Sequence, residues 1–407
     1  MSTDFTWIDN GSTTSPKGFR ASGIAAGIKA GRPDMAMLVS DVPASAAGLF
    51  TSNKVAAAPV RLDKEHLEKS GGTASAVVVN SGCANACTGD GGYTDAKDTA
   101  ALAASMLGIP VDSVLVSSTG VIGRRLPMER IKAGVGLAFG ALSADGGEAA
   151  AKAICTTDTV DKRAAVSFML NGKTATIGGM CKGAGMISPK LATMLAYVTT
   201  DAAVAPADLR TALKKAVSKS FKRITVDGYQ STNYTLLILA NGASGADAVS
   251  PSSPGWAVFT EALDALCLKL ARKIVADGEG ATKFITIDVT GAKNAEDAYA
   301  AARAIAVSPL VKTACFGGDP NWGRIICAAG YSGAEVDDRL ARIAFDDVIV
   351  YNCGEIADIE TNARLADVMK QRAFTIAVDL GLGESADTVY TSDLSYEYVK
   401  INGEYTT

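Results

Sequence analysis

In Lys182-Gly183-Ala184-Gly185-Met186-Ile187-Ser188-Pro189-Lys190-Leu191-Ala192-Thr193-Met194-Leu195, the segment 182–187 sets a single cation among flexible glycines, and the segment 189–195 just downstream holds one hydroxyl, Thr193, among apolar neighbours. Each half has an ordinary reading, a connector with an exposed lysine and a threonine used in packing. The rest of the sequence shifts the balance, because the 407-residue chain holds one histidine, His66. Ser-His-Asp and Cys-His catalysis, and most zinc sites, need a histidine beside a partner. His66 sits in Lys64-Glu65-His66-Leu67-Glu68-Lys69, which reads as a solvated helical face and places the ring on the surface. A threonine hydroxyl can be activated without any side-chain base by the free α-amino group of the same residue, which titrates at about 7.7–8.0. For Thr193 that requires the bond after Ala192 to be cut, with the Thr193 hydroxyl attacking its own preceding carbonyl in an N-to-O acyl shift.

Outward from this stretch, strand-like runs alternate with Ala-rich helical runs, which predicts a mixed α/β architecture. Upstream, strands are expected at 35–40, 75–80 and 113–118, and helices at 94–107, 127–142 and 147–154. Arg163–Leu170 and Lys173–Cys181 read as a hairpin turned by Asn171-Gly172, a strong short turn signal. Downstream, helices are expected at 206–220, 254–276, 295–306 and 361–372. Strands are expected at 235–240, 283–290, 343–351, 374–380 and 395–402.

Lys+Arg 39 against Asp+Glu 43 gives a net charge of −4 with no basic block, so the electrostatic footprint of a nucleic-acid binder is missing. No run approaches the roughly 18 apolar residues of a membrane span. Residues 1–17 lack a secretory or organelle-targeting pattern, so a cytoplasmic address is expected. The 8 cysteines form no Cys-x-x-Cys pair and read as reduced thiols, with no metal site expected. Gly318-Asp319-Pro320-Asn321-Trp322-Gly323-Arg324-Ile325 has Walker-like glycine spacing but lacks the Lys and Ser/Thr that contact phosphate and Mg²⁺. Gly183-Ala184-Gly185-Met186-Ile187-Ser188 likewise breaks the dinucleotide fingerprint at its third glycine.

Two further segments place small residues and a glycine after an apolar strand: Asn80-Ser81-Gly82-Cys83-Ala84-Asn85-Ala86 and Ser117-Ser118-Thr119-Gly120-Val121-Ile122-Gly123. That arrangement suits a plain turn, and it also suits an oxyanion hole, in which backbone N–H groups approach a ligand closely. Taken together, Lys182 to Ile187 followed by Ala192-Thr193-Met194-Leu195 closely resembles the self-cleavage signature of the ornithine acetyltransferase (glutamate N-acetyltransferase) family. The resemblance extends, in family order, to Asn80-Ser81-Gly82, Ser118 to Gly123, Asp277-Gly278-Glu279-Gly280-Ala281-Thr282-Lys283, Asp319-Pro320-Asn321-Trp322-Gly323-Arg324 and the terminal Ile401-Asn402 through Thr406-Thr407. It runs from about Pro16 to the last residue.

The resemblance implies a layered α-β-β-α sandwich of the ornithine acetyltransferase and DmpA-like type. The precursor would be cut between Ala192 and Thr193 into an N-terminal chain, 1–192, and a C-terminal chain, 193–407. These stay associated and pair into a heterotetramer of two of each. The implied activity is ping-pong transfer of acetyl from N-acetylornithine to glutamate, in arginine biosynthesis, through acetyl-Thr193. No cofactor is implied; in some members acetyl-CoA also serves as donor. Thr119 and Gly120 would stabilise the oxyanion, and Thr156, Lys182, Thr193, Glu279, Asn402 and Thr407 would hold the amino acid. Glu279 suits an ammonium and Lys182 a carboxylate.

One segment departs from the family pattern. Where the family usually reads Asp-Gly-Asp-Thr-Ser-Thr-Asn-Asp, this chain has Asp227-Gly228-Tyr229-Gln230-Ser231-Thr232-Asn233-Tyr234. Two carboxylates have become phenols, which either changes the amine or acyl group accepted or is absorbed by local repacking. A same-fold amidohydrolase, with water as acceptor, and a non-catalytic homologue are the alternatives that the sequence leaves open.

Overall fold

The side-chain alternation along the strands, apolar toward both faces, builds the layers. A computed structural model describes residues 4–188, 194–357 and 363–404. In chain order the first part runs β1 (Phe5–Ile8), β2 (Phe19–Ile24), β3 (Met35–Phe50), α1 (Ala58–Lys69), β4 (Thr73–Cys83), α2 (Gly89–Leu107), β5 (Val114–Val121), α3 (Met128–Gly140), α4 (Gly147–Ala153), β6 (Lys162–Leu170), β7 (Lys173–Lys182), β8 (Leu195–Thr200), α5 (Pro206–Ser218), β9 (Thr235–Ala240) and α6 (Trp256–Ala276). It continues through β10 (Phe284–Ala292), α7 (Ala295–Val307), α8 (Pro309–Gly317), α9 (Trp322–Gly330), β11 (Arg342–Phe345), β12 (Val348–Asn352), β13 (Glu355–Ile356), α10 (Ala363–Lys370), β14 (Ala373–Asp379), β15 (Ser385–Ser392) and α11 (Tyr396–Glu404).

Among the described residues the first sheet has the order β1-β6-β7-β8-β9-β3-β4-β5, with β2 also on β3. Strand β3 joins its two halves. Met35–Val39 pairs with β2 and β4, and after an irregularity before Ala44 the stretch Ser45–Phe50 pairs with β9. Leu38, Val77, Val79 and Leu115 from one half meet Met180, Leu195, Tyr197 and Leu237 from the other in an inner core. The alternate residues face outward, Met37, Val78 and Val116 onto Ala100, Ala103 and Val135 of α2 and α3. On the other half Ile177, Val198, Leu236 and Ile238 face α5 and α6. The layers therefore run helix, sheet, sheet, helix. Each fully buried large apolar side chain of α6, such as Phe259, Leu263 or Leu270, contributes about 1.5–3 kcal/mol. A second sheet, ordered β13-β12-β11-β14-β10-β15, closes its own core against α7, α9 and α10.

The expected hairpin forms: β6 and β7 pair from Lys162↔Cys181 to Leu170↔Lys173, and Asn171 and Gly172 both take left-handed φ, 49° and 82°. Strand β8, which sequence periodicity did not reveal, pairs antiparallel with β7 from Lys182↔Leu195 to Ile177↔Thr200. Residues 183–194 thus connect two neighbouring strands.

Three expectations are corrected. The run 343–351 is two strands, β11 and β12, turned at Asp346 with φ 50°. Residues 395–402 are not a strand: Ser395 Oγ accepts the Tyr398 N–H at 3.3 Å and starts helix α11. The alternation in Tyr396-Glu397-Tyr398-Val399-Lys400 mimics a half-buried strand, but no neighbouring strand pairs with it among the described residues. His66 is on a helix as read, yet buried at 4 % exposure. Its Nδ1–H donates to Val114 O at 2.7 Å, and one turn earlier Asp63 Oδ1 accepts the Val116 N–H at 2.7 Å. The two side chains satisfy backbone groups that β5, an edge strand, would otherwise leave unpaired.

Candidate active site

Strands β4 and β5 run parallel and end together, Asn80 opposite Ser118 and Gly82 opposite Gly120. Their approach is closer than any side chain allows, since a Cβ on Gly120 would lie 2.4 Å from the Gly82 carbonyl carbon, and φ of Gly120 is 128°. Side-chain amides fix the two ends. Ser118 Oγ donates to Asn80 Oδ1 at 2.6 Å, and Asn80 Nδ2 donates to Cys83 O at 2.9 Å. Asn233 Nδ2 donates to both Ala84 O, 2.6 Å, and Ser118 O, 2.8 Å.

This junction forms one wall of a cavity lined by Thr119, Gly120 and Ile122, with Ser231, Thr232 and Asn233 beside it. Thr156, Lys182, Gly185, Met186, Glu279 and Asn402 line the same cavity. Every described member of the expected site therefore converges here from five separate stretches of chain. Ala192, Thr193 and Thr407 lie outside the described residues. The chain reaches 189–193 from the cavity-lining Met186 and resumes at the buried Met194.

Lys182, Glu279 and Asn402 are each anchored. Lys182 is 3 % exposed, and its Nζ donates to Thr156 Oγ1 at 2.5 Å and stands 3.8 Å from Asp158 Oδ2. The Glu279 N–H donates to Ala184 O at 2.9 Å, and its carboxylate packs on Gly185, where a Cβ would meet Oε2 at 2.2 Å. Asn402 Nδ2 donates to Glu279 Oε2 at 2.8 Å. Asp227 accepts the N–H groups of Met186, 2.6 Å, and Ile187, 2.9 Å, together with the hydroxyl of Tyr398 at 3.2 Å. Burial raises its carboxyl, and those hydrogen bonds only partly offset the rise. Asp227 thereby ties the segment ahead of the expected cleavage bond to the helix that carries Asn402.

Sequence reasoning missed a group beneath Lys182. Lys162 Nζ lies 2.6 Å from Asp158 Oδ1 and 2.5 Å from Asp277 Oδ2, with no side-chain exposure on Lys162 or Asp158. Burial alone would raise Asp158, but Lys182 and Lys162 hold its carboxyl well below the usual range. Burial would lower Lys162, and Asp158 and Asp277 outweigh it so that its ammonium is held above the ordinary range. Arg163 opens the expected strand, and nothing in the charged stretch Asp161-Lys162-Arg163 marks Lys162 for burial.

Of the departing phenols, Tyr234 is 1 % exposed and packs in the core beneath α5 and α6, whereas Tyr229 is exposed. The Walker-like segment lines no part of the cavity: Asn321 Oδ1 accepts the Arg324 N–H and starts α9. Among the described residues no cluster of His, Cys, Asp and Glu could hold a metal, and no helix is long and apolar enough to cross a membrane.

A family model described as the ArgJ family matches residues 20–407. The chain belongs to the ArgJ family. It is 51 % identical over 392 residues to the arginine biosynthesis bifunctional protein ArgJ of Geobacter sulfurreducens, covering 96 % of this chain and 99 % of that one. Its counterpart in Symbiobacterium thermophilum is 49 % identical over 404 residues, covering 98 % and 100 %. Among solved structures, the Bacillus halodurans bifunctional protein ArgJ matches at 43 % identity and TM-score 0.44, over 47 % of this chain and 97 % of that chain. The Mycobacterium tuberculosis ornithine acetyltransferase complexed with ornithine matches at 39 % identity and TM-score 0.42, over 47 % and 99 %. As a member of this family the protein is an enzyme, an acetyltransferase of arginine biosynthesis.

Proposed function

We propose that the protein transfers an acetyl group from N-acetylornithine to glutamate through an ester on Thr193, after cutting itself between Ala192 and Thr193. In the first event the Thr193 hydroxyl attacks the Ala192 carbonyl, the C–N bond breaks, and water hydrolyses the resulting ester. This leaves the Ala192 carboxylate and a free Thr193 amine. In each turnover that amine takes the hydroxyl proton as oxygen attacks the acetyl carbonyl. It then returns the proton to the departing nitrogen of ornithine. The glutamate amine attacks the acetyl ester in the second half, and Thr193 recovers its proton. Backbone or hydroxyl donors at Thr119 and Gly120 face the developing oxyanion.

The observation that carries this reading is the convergence of Thr119, Gly120, Thr156, Lys182, Glu279 and Asn402 on one cavity whose wall leads into the segment before Thr193. A buried ammonium and an anchored carboxylate in one cavity match a substrate that carries both charges. Cleavage within 183–194 would leave β7 and β8 paired, and both outer and inner cores draw residues from either side of the cut. Chains 1–192 and 193–407 would therefore stay together, and we assign them to a heterotetramer in the cytoplasm. Amino acids are the substrates; no cofactor is assigned, and acetyl-CoA enters only as an alternative donor. With Tyr234 in the core, the departure from the family pattern leaves the cavity lining free of either phenol.

Intact mass and N-terminal sequencing of the purified protein should show a fragment beginning at Thr193, and Thr193→Ala should give the uncut chain. Incubation with N-acetylornithine should yield N-acetylglutamate only when glutamate is present. Equal ornithine release without glutamate would replace the transferase by an amidohydrolase. An uncut, inactive wild type would replace it by a non-catalytic homologue.

A further inference from the structure

Asp158, Lys162 and Asp277 form a buried chain of charges between the cavity's cation and its anion. One end is Lys182, 3.8 Å from Asp158 Oδ2, and the other is Glu279, two residues after Asp277. Asp158 Oδ1 is occupied by the Lys162 ammonium, 2.6 Å, and the Gly183 N–H, 2.7 Å, while Oδ2 accepts the Thr156 N–H at 3.0 Å. Asp277 Oδ2 receives Lys162 at 2.5 Å and the Thr159 N–H at 3.1 Å. Two ammonium groups and two carboxylates leave the set neutral, yet the short contact of Lys182 is to the neutral Thr156 hydroxyl at 2.5 Å. Its remaining donors are available to the cavity because Lys162 already holds Asp158. A deletion of the Lys162 charge would leave Asp158 buried with Lys182 as its one remaining ammonium partner, drawing that ammonium out of the cavity.

We infer that Lys162 is a positioning residue, which keeps the Lys182 ammonium free for a substrate carboxylate, while its bond to Asp277 sets the turn that presents Glu279 to a substrate ammonium. The inference rests on the amino-acid transfer proposed above. It assigns the discrimination between substrates with and without each charge to residues that do not touch the substrate. Asp277 lies beyond Thr193 and Lys162 before it, so the bond also spans the expected cut.

The test uses the full, self-processed protein and compares N-acetylornithine with N-acetylputrescine, which lacks the carboxylate, and N-acetylnorvaline, which lacks the ammonium. Lys162→Met should raise KM for N-acetylornithine about 10-fold or more, the scale of one hydrogen bond to a charged group, with kcat within about threefold. Its preference for N-acetylornithine over N-acetylputrescine should fall by the same factor. Asp277→Asn, which leaves Lys162 paired with Asp158, should lower the preference over N-acetylnorvaline and leave that over N-acetylputrescine unchanged. This second variant decides the matter should Lys162→Met fail to fold. A loss of kcat/KM equal for all three substrates would overturn the inference as mere structural support. Should the wild type bind ornithine by calorimetry without transferring acetyl, only the proposed reaction fails. Binding of ornithine against putrescine then reads the same discrimination. A wild type that binds neither overturns both.

Discussion

Replacing Gly120 by alanine separates a contact requirement from a backbone requirement, because Gly123 nearby provides the control. Both glycines take left-handed φ, 128° and 81°. A Cβ on Gly120 would stand 2.4 Å from the Gly82 carbonyl carbon and 2.7 Å from the Cys83 nitrogen, whereas one on Gly123 meets nothing within 4 Å. The backbone strain costs about 1–3 kcal/mol at either position. Only at Gly120 does the new methyl overlap main chain of a neighbouring strand, which cannot swing aside as a flexible side chain would; such overpacking adds about 1–3 kcal/mol. Gly120→Ala should therefore lose roughly 2–6 kcal/mol and Gly123→Ala roughly 1–3 kcal/mol. Urea unfolding followed by circular dichroism reads this as a larger fall of the midpoint at constant slope. Forcing β4 and β5 apart also moves the Gly120 N–H from the cavity wall, so acetyl transfer should fall about 10²–10³-fold in Gly120→Ala and stay near wild type in Gly123→Ala. Equal stability losses would refute the contact argument. A destabilised but fully active Gly120→Ala would remove this segment from the oxyanion.

Asp63 is fully buried, and burial pushes its carboxyl well above the usual range, with the Val116 N–H only partly offsetting it. Above about pH 4 the folded state then binds more protons at this group than the unfolded state, so its contribution makes stability fall as pH rises. Asp63→Asn keeps an acceptor for Val116 and removes the ionisation; its melting temperature should gain on wild type between pH 4.5 and pH 8, and an unchanged difference would contradict the burial argument. Asn233→Ala deletes the two donors to Ala84 O and Ser118 O and leaves both carbonyls unpaired, for a loss of about 2–4 kcal/mol. Because those carbonyls belong to the wall that carries Thr119 and Gly120, kcat should drop more than KM rises, measured as acetyl transfer at saturating glutamate.

Where one residue type and one local pattern decide the outcome, the sequence is legible. Asn171-Gly172 can turn in few ways, and the strand at 235–240 and the helix at 295–306 follow from apolar periodicity alone. Periodicity fails where a polar side chain substitutes for a missing backbone partner. His66 looks solvated because its chain neighbours are charged, but helix spacing aims Asp63 and His66 together at the unpaired edge of β5. Residues 395–402 alternate like a strand and become a helix because Ser395 supplies a cap. At the site, the glycines were readable as places of close approach, since the chemistry of an absent Cβ is local. Asp158, Lys162 and Asp277 were not, because their burial comes from the packing of α6 on β6 and β7, which no single stretch of sequence contains.

The lone histidine bears on the chemistry through where it is fixed. Its Nδ1 proton is committed to Val114 O, its Nε2 stands 3.7 Å from Asp112, and His66 is not among the residues that line the cavity. Among the described lining residues the ionisable side chains are Lys182 and Glu279. Each already has a partner, Thr156 for the ammonium and Asn402 for the carboxylate. If Lys182 served as base, it would have to lose the charge that a substrate carboxylate needs. Were Glu279 the base, it would surrender the charge that a substrate ammonium needs. In the proposed reaction, a base at the α-amino nitrogen of Thr193 would leave both charges in place through the whole cycle, which is the physical advantage of carrying the base on the nucleophile's own residue. It also makes a distinct demand on pH: transfer should rise with a midpoint at about 7.7–8.0, the range of an α-amine, and Lys162→Met should leave that midpoint unmoved while raising KM. A midpoint below about 5, in the carboxylate range, would refute the α-amine as base.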